Sequence, residues 1–206
     1  MLKKVMAIIN IMLLIISGSA SLAYAQTYPG MGQGTIEAPY IIENAEQLQG
    51  IRNNLTAHYR LGSDIDLENQ HWQPVGENNN AFKGSLDGDG HKIKNLSIKN
   101  QSYAGLFAYG DGAVLKNITI ENVNISEGKM SNAGGLIGYI NNGQVEDCAV
   151  EGNIVIKSDT SSGTSYIGGM IGRSNSSTVK NNQVNGDLSI ETNSNSAIRV
   201  GGMIGE

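Results

Sequence analysis

The chain has 206 residues, of which 27 are Gly and 23 are Asn, and it carries only 16% charged residues, 3 Pro and 1 Cys. The low charge and the single Cys disfavour a coiled coil and a disulfide scaffold, and the net charge of -5 disfavours a nucleic-acid binder. Because Gly and Asn are poor helix formers and 39% of the residues are hydrophobic, we expect a folded protein rich in strands and turns.

Residues 1–25 are predicted to be a secretory signal peptide. A cationic start at Lys3 and Lys4 precedes a nearly continuous apolar run over residues 5–16, and small residues lead to Ala25. This order is typical of a leader that is cleaved between Ala25 and Gln26. A membrane anchor is the alternative, but the run is shorter than the roughly 20 apolar residues of a spanning helix. We expect an exported protein, extracellular or on the cell surface, with no membrane span after signal removal.

Residues 26–67 are predicted to be an N-terminal lead-in and cap that contains a short helix. Asn44 precedes Gln47 by three residues, which is the spacing of a capping box. An apolar stripe at helical spacing follows at Leu48, Ile51 and Leu55. We expect this helix to lie across the first turn of the fold and to shield it.

A strand over residues 59–67 is predicted to follow the helix, because apolar and polar residues alternate there. Ile65 and Leu67 would point to one side, and Asp64 and Asp66 to the other. Two carboxylates about 7 Å apart on one face are a conceivable glycosidase pair. An ordinary exposed strand face is the favoured interpretation.

An internal repeat dominates residues 68–206. A five-residue phrase occurs four times, at spacings of 30, 34 and 33 residues. The residues that define the repeat are Gly105, Leu106, Gly134, Gly135, Leu136, Gly138, Gly168, Gly169, Met170, Gly172, Gly201, Gly202, Met203 and Gly205. A second phrase begins at Lys116, Glu146 and Lys180, with an earlier copy at Lys94. A period of this size is typical of solenoids.

The segments between the phrases predict a right-handed parallel β-helix in which each period is one rung. They are short, β-branched and bounded by Asn, Gly and Ser, and they contain no helical stripe. One interior column would be formed by Leu106, Leu136, Met170 and Met203. The residues directly after these would face outwards unless a corner intervenes. The repeated Gly would supply either a positive φ at a corner or close approach of the next strand.

The fourth copy of the phrase ends close to Glu206, before the rest of its rung. We therefore expect an incomplete last repeat and an open C-terminal rung. The unpaired backbone groups of such a rung would allow self-association.

Candidate metal ligands are few. His58, His71 and His91 lack the i, i+4 spacing of a zinc-binding helix. The stretch from Asp87 to Asp89 resembles the start of a calcium loop, but the later ligand positions do not carry the required oxygen donors. A tight turn is the favoured interpretation of this stretch, with metal binding at Asp87 and Asp89 left open.

Other chemistry is weakly supported. Trp72 with Tyr59 and His71 could form a platform for stacking a sugar, although packing inside the fold is favoured for a lone Trp. Cys148, alone in an exported chain, is interpreted as a buried small apolar residue unless a partner chain supplies a second thiol. No nucleophile elbow, phosphate loop or dinucleotide fingerprint occurs, so we expect no cofactor.

Several motifs occur together in one order, and this order resembles the GLUG-motif repeat proteins of bacteria. They are residues 34–42, residues 64–67, residues 72–76, residues 82–93 and the Gly-Gly-Leu-Ile-Gly phrases. The resemblance spans about residues 34–205 and implies a secreted or surface-exposed β-helix. GLUG regions accompany adhesin-like surface proteins and also the non-catalytic part of immunoglobulin A-specific zinc metallopeptidases. The His-Glu-x-x-His motif that carries the activity of those peptidases does not occur in this sequence.

Two functional hypotheses follow. The leading one is a non-catalytic, exported β-helical module that binds a host or cell-surface protein or glycan through a surface spread over several rungs, with no nucleic-acid partner. The alternative is the repeat portion of a larger secreted zinc metallopeptidase or polysaccharide-active enzyme, whose catalytic part is encoded elsewhere.

Overall fold

The computed structural model describes residues 31–159, 163–193 and 196–206. The predicted signal peptide and its cleavage point between Ala25 and Gln26 lie outside these residues. Strands predominate in the described part of the chain. No helix in that part is long and apolar enough to cross a bilayer.

Helix α1 spans Ala45–Gln49 and continues as a 3-10 turn over Gly50–Asn53. Oδ1 of the N-cap residue Asn44 accepts a hydrogen bond from the Gln47 backbone N–H at 2.9 Å, which satisfies one of the free donors of the first turn. Leu48, on the apolar stripe, is fully buried in the core. The predicted capped helix is confirmed, but it is shorter than the predicted stripe, since Ile51 lies in the 3-10 turn and Leu55 lies beyond the end of that turn.

The strands of the described residues stack into four sheets. Sheet 1 contains β1 (Tyr40–Ile42), β2 (His58–Leu61), β4 (Ser85–Asp87), β8 (Val114–Lys116), β12 (Gln144–Glu146) and β16 (Thr178–Lys180). Sheet 2 contains β3 (Ile65–Asp66), β5 (Lys92–Lys99), β9 (Thr119–Gly128), β13 (Ala149–Ser158) and β17 (Gln183–Thr192). Sheet 3 contains β7 (Phe107–Asp111), β11 (Ile137–Asn141) and β15 (Ile171–Asn175). Sheet 4 contains β6 (Tyr103–Ala104), β10 (Asn132–Ala133), β14 (Ser165–Gly168) and β18 (Ile198–Gly201).

The path of the chain makes these sheets the walls of a solenoid. From β7 onwards the chain visits sheets 3, 1, 2 and 4 in turn, then begins the next circuit at β11 and again at β15. Strands that neighbour one another in a sheet run parallel, each one circuit further along the chain. The predicted all-β, parallel solenoid with a short capping helix is confirmed.

Aliphatic columns along the solenoid axis form the core. In sheet 2 the residues Ile98, Ile125, Ile156 and Ile190 are in register on successive rungs. The first three are fully buried, while Ile190 is only partly buried because β17 has a neighbouring strand on one side only among the described residues. Each fully buried Ile contributes about 1.5–3 kcal/mol relative to its exposed state.

A corner separates the two apolar positions of the repeated phrase. Leu106 lies in the turn between β6 and β7, whereas Phe107 begins β7, and both side chains are fully buried. Leu136 and Ile137 repeat this arrangement one rung later. The outward orientation that simple strand alternation gives for the second position does not apply, because the corner turns it back into the core.

The glycines of the phrase serve close approach of backbones. A Cβ on Gly134 would lie 2.5 Å from the Met170 carbonyl oxygen of the next rung. None of the repeat-motif glycines has a positive φ, so the corner conformation is not the reason for them. At the position of Gly138 the first copy of the phrase has Ala108. A Cβ on Gly138 would lie 3.0 Å from the backbone nitrogen of Ala104 in β6, on the preceding rung. Ala108 is tolerated because β6 is the edge strand of sheet 4 among the described residues, so no earlier strand of that sheet lies against it.

Two expectations about strands were wrong. The predicted continuous strand over residues 59–67 is broken at Gly62, and β2 and β3 belong to different sheets. The phrase at Lys94 is not equivalent to the one at Lys116: Lys94 is in register with Glu121, in the middle of sheet 2. Similar short strings of Lys, Asn and aliphatic residues therefore occupy two different places in a rung.

Candidate interaction surface

The three histidines lie apart and do not form a metal site. His58 shares a 2.8 Å hydrogen bond with Ser85 on sheet 1, and His91 lies 3.4 Å from Asp64. His71 lines a depression beside α1. Within residues 31–159, 163–193 and 196–206 no three His, Cys, Asp or Glu side chains converge on a point where a metal ion could be held.

Asp64 and Asp66 have structural partners rather than a shared reaction centre. Asp64 accepts a hydrogen bond from the Lys92 backbone N–H at 3.0 Å and lies 3.2 Å from the Lys94 ammonium group. Asp66 accepts hydrogen bonds from the backbone N–H of Glu68 and from the Asn95 amide. Backbone hydrogen bonds are the main reason that the pKa values of both carboxyls are lowered. A glycosidase pair needs one carboxyl that stays protonated and acts as a general acid. A carboxyl with a lowered pKa is a poor general acid, so the glycosidase interpretation is not supported.

The stretch from Asp87 to Asp89 forms a turn. Asp87 accepts hydrogen bonds from the Asp89 backbone N–H at 3.0 Å and from the Asn117 amide at 2.9 Å, and it lies 3.0 Å from the Lys116 ammonium group. Burial pushes the pKa of Asp87 upwards, but these hydrogen bonds outweigh it and the pKa is lowered. The carboxylate oxygens are engaged in holding the turn to the next rung.

The aromatic platform suggested by Trp72, Tyr59 and His71 is not present. Trp72 is 4% exposed, and its Nε1 donates a hydrogen bond to the Leu106 carbonyl oxygen at 3.0 Å. Tyr59 is also buried, where its ring packs 6.5 Å from that of Phe82. Both rings therefore stabilise the core and the cap, and neither face is free for a sugar.

Cys148 is a buried free thiol, as the sequence predicts. Its sulfur lies 3.2 Å from the Glu146 carbonyl oxygen. Burial raises the pKa of Cys148 to about 12, so the thiolate that would act as a nucleophile or metal ligand is suppressed at neutral pH.

Shallow depressions on the outer walls hold polar side chains. One of about 480 Å³ lies over sheet 1 and is lined by charged residues such as Arg60 and Lys116. Another of about 450 Å³ lies over sheet 2, where the Asn122 amide donates a 3.2 Å hydrogen bond to Asn95. These side chains are largely paired with one another along the solenoid axis.

Partly exposed aromatic rings lie on the outer faces of sheets 3 and 4. In sheet 3 the rings of Tyr109 and Tyr139, one rung apart, have centroids separated by 4.7 Å. Tyr103 on sheet 4 packs edge-on against Tyr109, at 5.8 Å. All three rings are half-buried, so part of each lies at the surface.

Two arginines continue these rows towards the C-terminal end. The Arg173 guanidinium lies 4.6 Å from the ring centroid of Tyr166, and that of Arg199 lies 5.3 Å from the same ring. Tyr166 therefore makes cation–π contacts with both arginines. We call the six residues of the two rows the Tyr–Arg surface; they are Tyr103, Tyr109, Tyr139, Tyr166, Arg173 and Arg199.

A carboxylate bridges the arginines of this surface. Oε1 of Glu206 lies 2.8 Å from Nη1 of Arg199, and its Oε2 lies 3.4 Å from Nε of Arg173. The side chains of all three residues remain roughly half exposed. The Glu206 carboxylate therefore forms ion pairs with both arginines at the protein surface.

Asn132 lies among these side chains with an unpaired polar atom. It is in register with Tyr103 on one side and Tyr166 on the other, so its side chain shares their face of sheet 4. Asn132 is 5% exposed, and its Oδ1 has no hydrogen-bond partner in the described residues. Buried acceptors of this kind are uncommon in folded proteins.

The spacing of the repeat predicts part of the Tyr–Arg surface, which the motifs considered above do not include. Tyr109, Tyr139, Arg173 and Glu206 each stand two residues after the second apolar residue of a phrase. Placing the phrases in register therefore aligns the four positions in one row.

The fold and its surfaces define a parallel β-solenoid repeat protein. The family model described as the M26 IgA1-specific metallo-endopeptidase N-terminal region matches residues 41–152, and the chain belongs to this family. The chain is 37% identical to halomucin of Haloquadratum walsbyi over 141 residues, which is 60% of this chain and 2% of halomucin. It is 35% identical over 132 residues to a protein of Evansella cellulosilytica named "Putative Gly-rich membrane protein", covering 58% of this chain and 15% of that protein.

This chain therefore spans only a small fraction of the length of each of these two relatives. Among solved structures, it is similar to the crystal structure titled as that of "a putative immunoglobulin A1 protease" from Bacteroides ovatus. That similarity has a TM-score of 0.41 and 16% sequence identity, and it covers 84% of this chain and 80% of the other.

Proposed function

We propose that this protein is an exported, non-catalytic β-solenoid module that binds a host or cell-surface protein or glycan. The observation that carries the proposal is the Tyr–Arg surface, where outward rings and guanidinium groups from successive rungs form one continuous strip. Tyr and Arg, together with Trp, are enriched among the residues that dominate binding energy at interfaces. Of the titratable groups that the sequence suggested for chemistry, Asp64 and Asp87 are paired within the fold and Cys148 is buried.

Binding by such a module would be distributed along the solenoid. Each rung adds one side chain to each row, so a ligand that lies along the axis meets several weak contacts in register. The predicted signal peptide over residues 1–25 supports a location outside the cell, where such ligands are met. Mass spectrometry of the protein secreted by its natural host tests this location: a mature N-terminus at Gln26 is expected.

Binding is tested directly with the purified chain from Gln26 to Glu206. We expect it to retain at least one ligand from a panel of immobilised host glycans, extracellular-matrix proteins and immunoglobulin A. Retention should fall when Tyr139 and Tyr166 are both changed to Ala, while circular dichroism and the melting temperature verify that the variant is folded. If the wild-type chain bound no member of the panel, the proposal of adhesion would lose its support.

Membership of the metallo-endopeptidase family favours a second candidate, in which these rungs are the N-terminal portion of a secreted peptidase. In that case the solenoid would orient or recruit the substrate for a catalytic part that this sequence does not contain. Reading the coding DNA beyond Glu206 distinguishes the two proposals, because a His-Glu-x-x-His motif in frame supports the second. Incubating the chain itself with immunoglobulin A1 should leave the immunoglobulin uncleaved under either proposal.

Self-association is also proposed, through the last described rung. The interior residue Ile190 is incompletely covered there, and β17 pairs with β13 on one side only among the described strands. The large apolar residue Val200 on β18 is 55% exposed. An edge of this kind can pair with a strand of another molecule.

A further inference from the structure

The bridged arginines of the Tyr–Arg surface are a ready site for a negatively charged group. Arg173 and Arg199 lie on neighbouring sheets, yet both guanidinium groups converge on one carboxylate, that of Glu206. Both are also held over the Tyr166 ring, which restricts their orientation before any ligand arrives. Charge-assisted hydrogen bonds from guanidinium to carboxylate are among the stronger polar contacts in proteins.

Beside this charged end the surface offers rings and an unsatisfied acceptor. The half-exposed rings of Tyr109 and Tyr139 add apolar surface beside the arginines, and the C–H face of a pyranose ring can pack against their exposed parts. Oδ1 of Asn132 lacks a donor, and a ligand hydroxyl would supply one once a neighbouring tyrosine ring turns aside. A ligand that satisfies all three features carries a carboxylate, hydroxyl groups and an apolar ring face.

We propose that the Tyr–Arg surface binds an acidic carbohydrate, with the sugar carboxylate taking the place of Glu206 between Arg173 and Arg199 and the adjoining sugar ring packing against the exposed parts of Tyr109 and Tyr139. The inference rests on the proposed adhesive function and names its ligand class. An acidic peptide would satisfy the arginines, but it offers no flat ring face together with hydroxyl donors for Asn132. Glu206 acts as an internal competitor that a ligand must displace.

Isothermal titration calorimetry of the folded chain from Gln26 to Glu206, with an N-terminal tag, tests the inference. The probes are 3′-sialyllactose and tri-galacturonate, with lactose as the neutral control and tri-glutamate as the acidic peptide. We expect binding of at least one acidic sugar, at least about tenfold weaker binding of lactose, and weakening of the interaction by 0.5 M salt.

Three variants identify the site. Combining Arg173→Gln with Arg199→Gln should weaken binding of the acidic sugar at least about tenfold. Glu206→Gln should strengthen it about two- to fivefold because the competitor loses its charge, and a misfolded variant would not show this gain. Arg60→Gln removes a similarly exposed arginine from sheet 1 and should leave the affinity unchanged.

Two results would overturn the inferred ligand, and a third would overturn the assigned site. One is binding of tri-glutamate without binding of either acidic sugar, which would make the surface a site for acidic peptide. The other is the absence of acidic-sugar binding in a protein that still binds a member of the adhesion panel, which would leave the proposed function standing without this ligand. Equal loss of affinity in the Arg60 variant would equally contradict the assigned site.

Discussion

Gly169 packs directly against the carbonyl oxygen of Gly202 on the next rung, and its backbone N–H donates a 3.1 Å hydrogen bond to the same oxygen. A Cβ on Gly169 would overlap that oxygen, so the rungs could not keep their spacing. At Gly202, the equivalent position of the last described rung, a Cβ would meet no atom within 4 Å. The same residue in the same phrase is therefore required in one rung and free in the other.

The first prediction compares these two glycines. Gly169→Ala should lower the free energy of unfolding by about 1–3 kcal/mol, because a methyl group is forced into a packed backbone. Gly202→Ala should change it by less than about 0.5 kcal/mol. Urea unfolding followed by circular dichroism measures both, and equal effects of the two substitutions would contradict close approach as the role of the motif glycine.

The second prediction concerns the asparagine at the corner between sheets 1 and 2. Asn117 has φ of 54° and donates a hydrogen bond to Asp87 on the preceding rung. Asn117→Ala should destabilise the fold by about 1–2 kcal/mol, because Ala tolerates the left-handed region less well and the hydrogen bond is lost.

Two variants separate these causes in the same unfolding assay. Asn117→Gly relieves the backbone strain and should cost less than the Ala variant. Asn124→Ala changes an exposed residue in β9 whose φ is not positive and should be close to neutral. The interpretation fails if the Gly variant is less stable than the Ala variant.

The third prediction is a loss of stability in acid. The pKa of Asp87 is lower in the folded chain than its ordinary value of about 4, so the unfolded chain binds more protons as the pH falls. The stabilisation is fully present above pH of about 4 and is lost as the pH falls through the lowered pKa. Urea midpoints between pH 7 and pH 3 should therefore decrease.

Asp87→Asn should be less stable than the wild type at pH 7 and should show a shallower decrease in the urea midpoint towards pH 3. Asp187→Asn removes an exposed carboxylate of β17 and serves as the control. Parallel pH curves for Asp87→Asn and the wild type would show that Asp87 does not carry the effect.

The fourth prediction uses Cys148 as a reporter of unfolding. Its burial and its pKa of about 12 should prevent reaction with Ellman's reagent in native buffer at pH 8. In 6 M guanidinium chloride one thiol per chain should react within seconds. Rapid labelling of the native protein would mean that the rung around Cys148 opens readily.

The fifth prediction addresses self-association through the last described rung. Analytical ultracentrifugation should show oligomers whose population rises with protein concentration. Val200→Lys, which places a charge on the exposed edge, should shift the protein towards monomer. Ile36→Lys replaces an apolar residue that is 74% exposed in the lead-in and should leave the distribution unchanged. A strictly monomeric wild type at high concentration would contradict the proposal.

Much of the architecture could be predicted from local pattern. The repeat period indicated a solenoid because comparing the chain with itself reveals it, and the Asn44 cap with its apolar stripe indicated the helix because it depends on residues close in sequence. The break at Gly62 could not be predicted, because two short strands joined by a bend show the same alternation of apolar and polar residues as one continuous strand. The false equivalence of Lys94 with Lys116 arose because short strings recur without sharing a register.

The candidate site was the least predictable part. Packing inside the fold was the favoured interpretation of Trp72, and the cap and the first rungs do enclose both Trp72 and Tyr59. The Tyr–Arg surface joins residues about thirty positions apart on two sheets, and no local pattern shows that Tyr103 meets Tyr109 across a corner. Such side-chain contacts depend on the angle at which the chain turns from one sheet to the next within a rung.

The sequence by itself determined that the chain forms repeated, strand-rich rungs with a helical cap, because the repeat period, the capping spacing and the apolar content are visible along the chain without knowledge of how the rungs pack. Only the tertiary structure decided that the repeated Gly serves close approach and that Leu106 and Phe107 both point inward. It also decided that Arg173 and Arg199 converge on Glu206. These outcomes depend on the register between rungs and on the corners between sheets, which arise only when the strands stack.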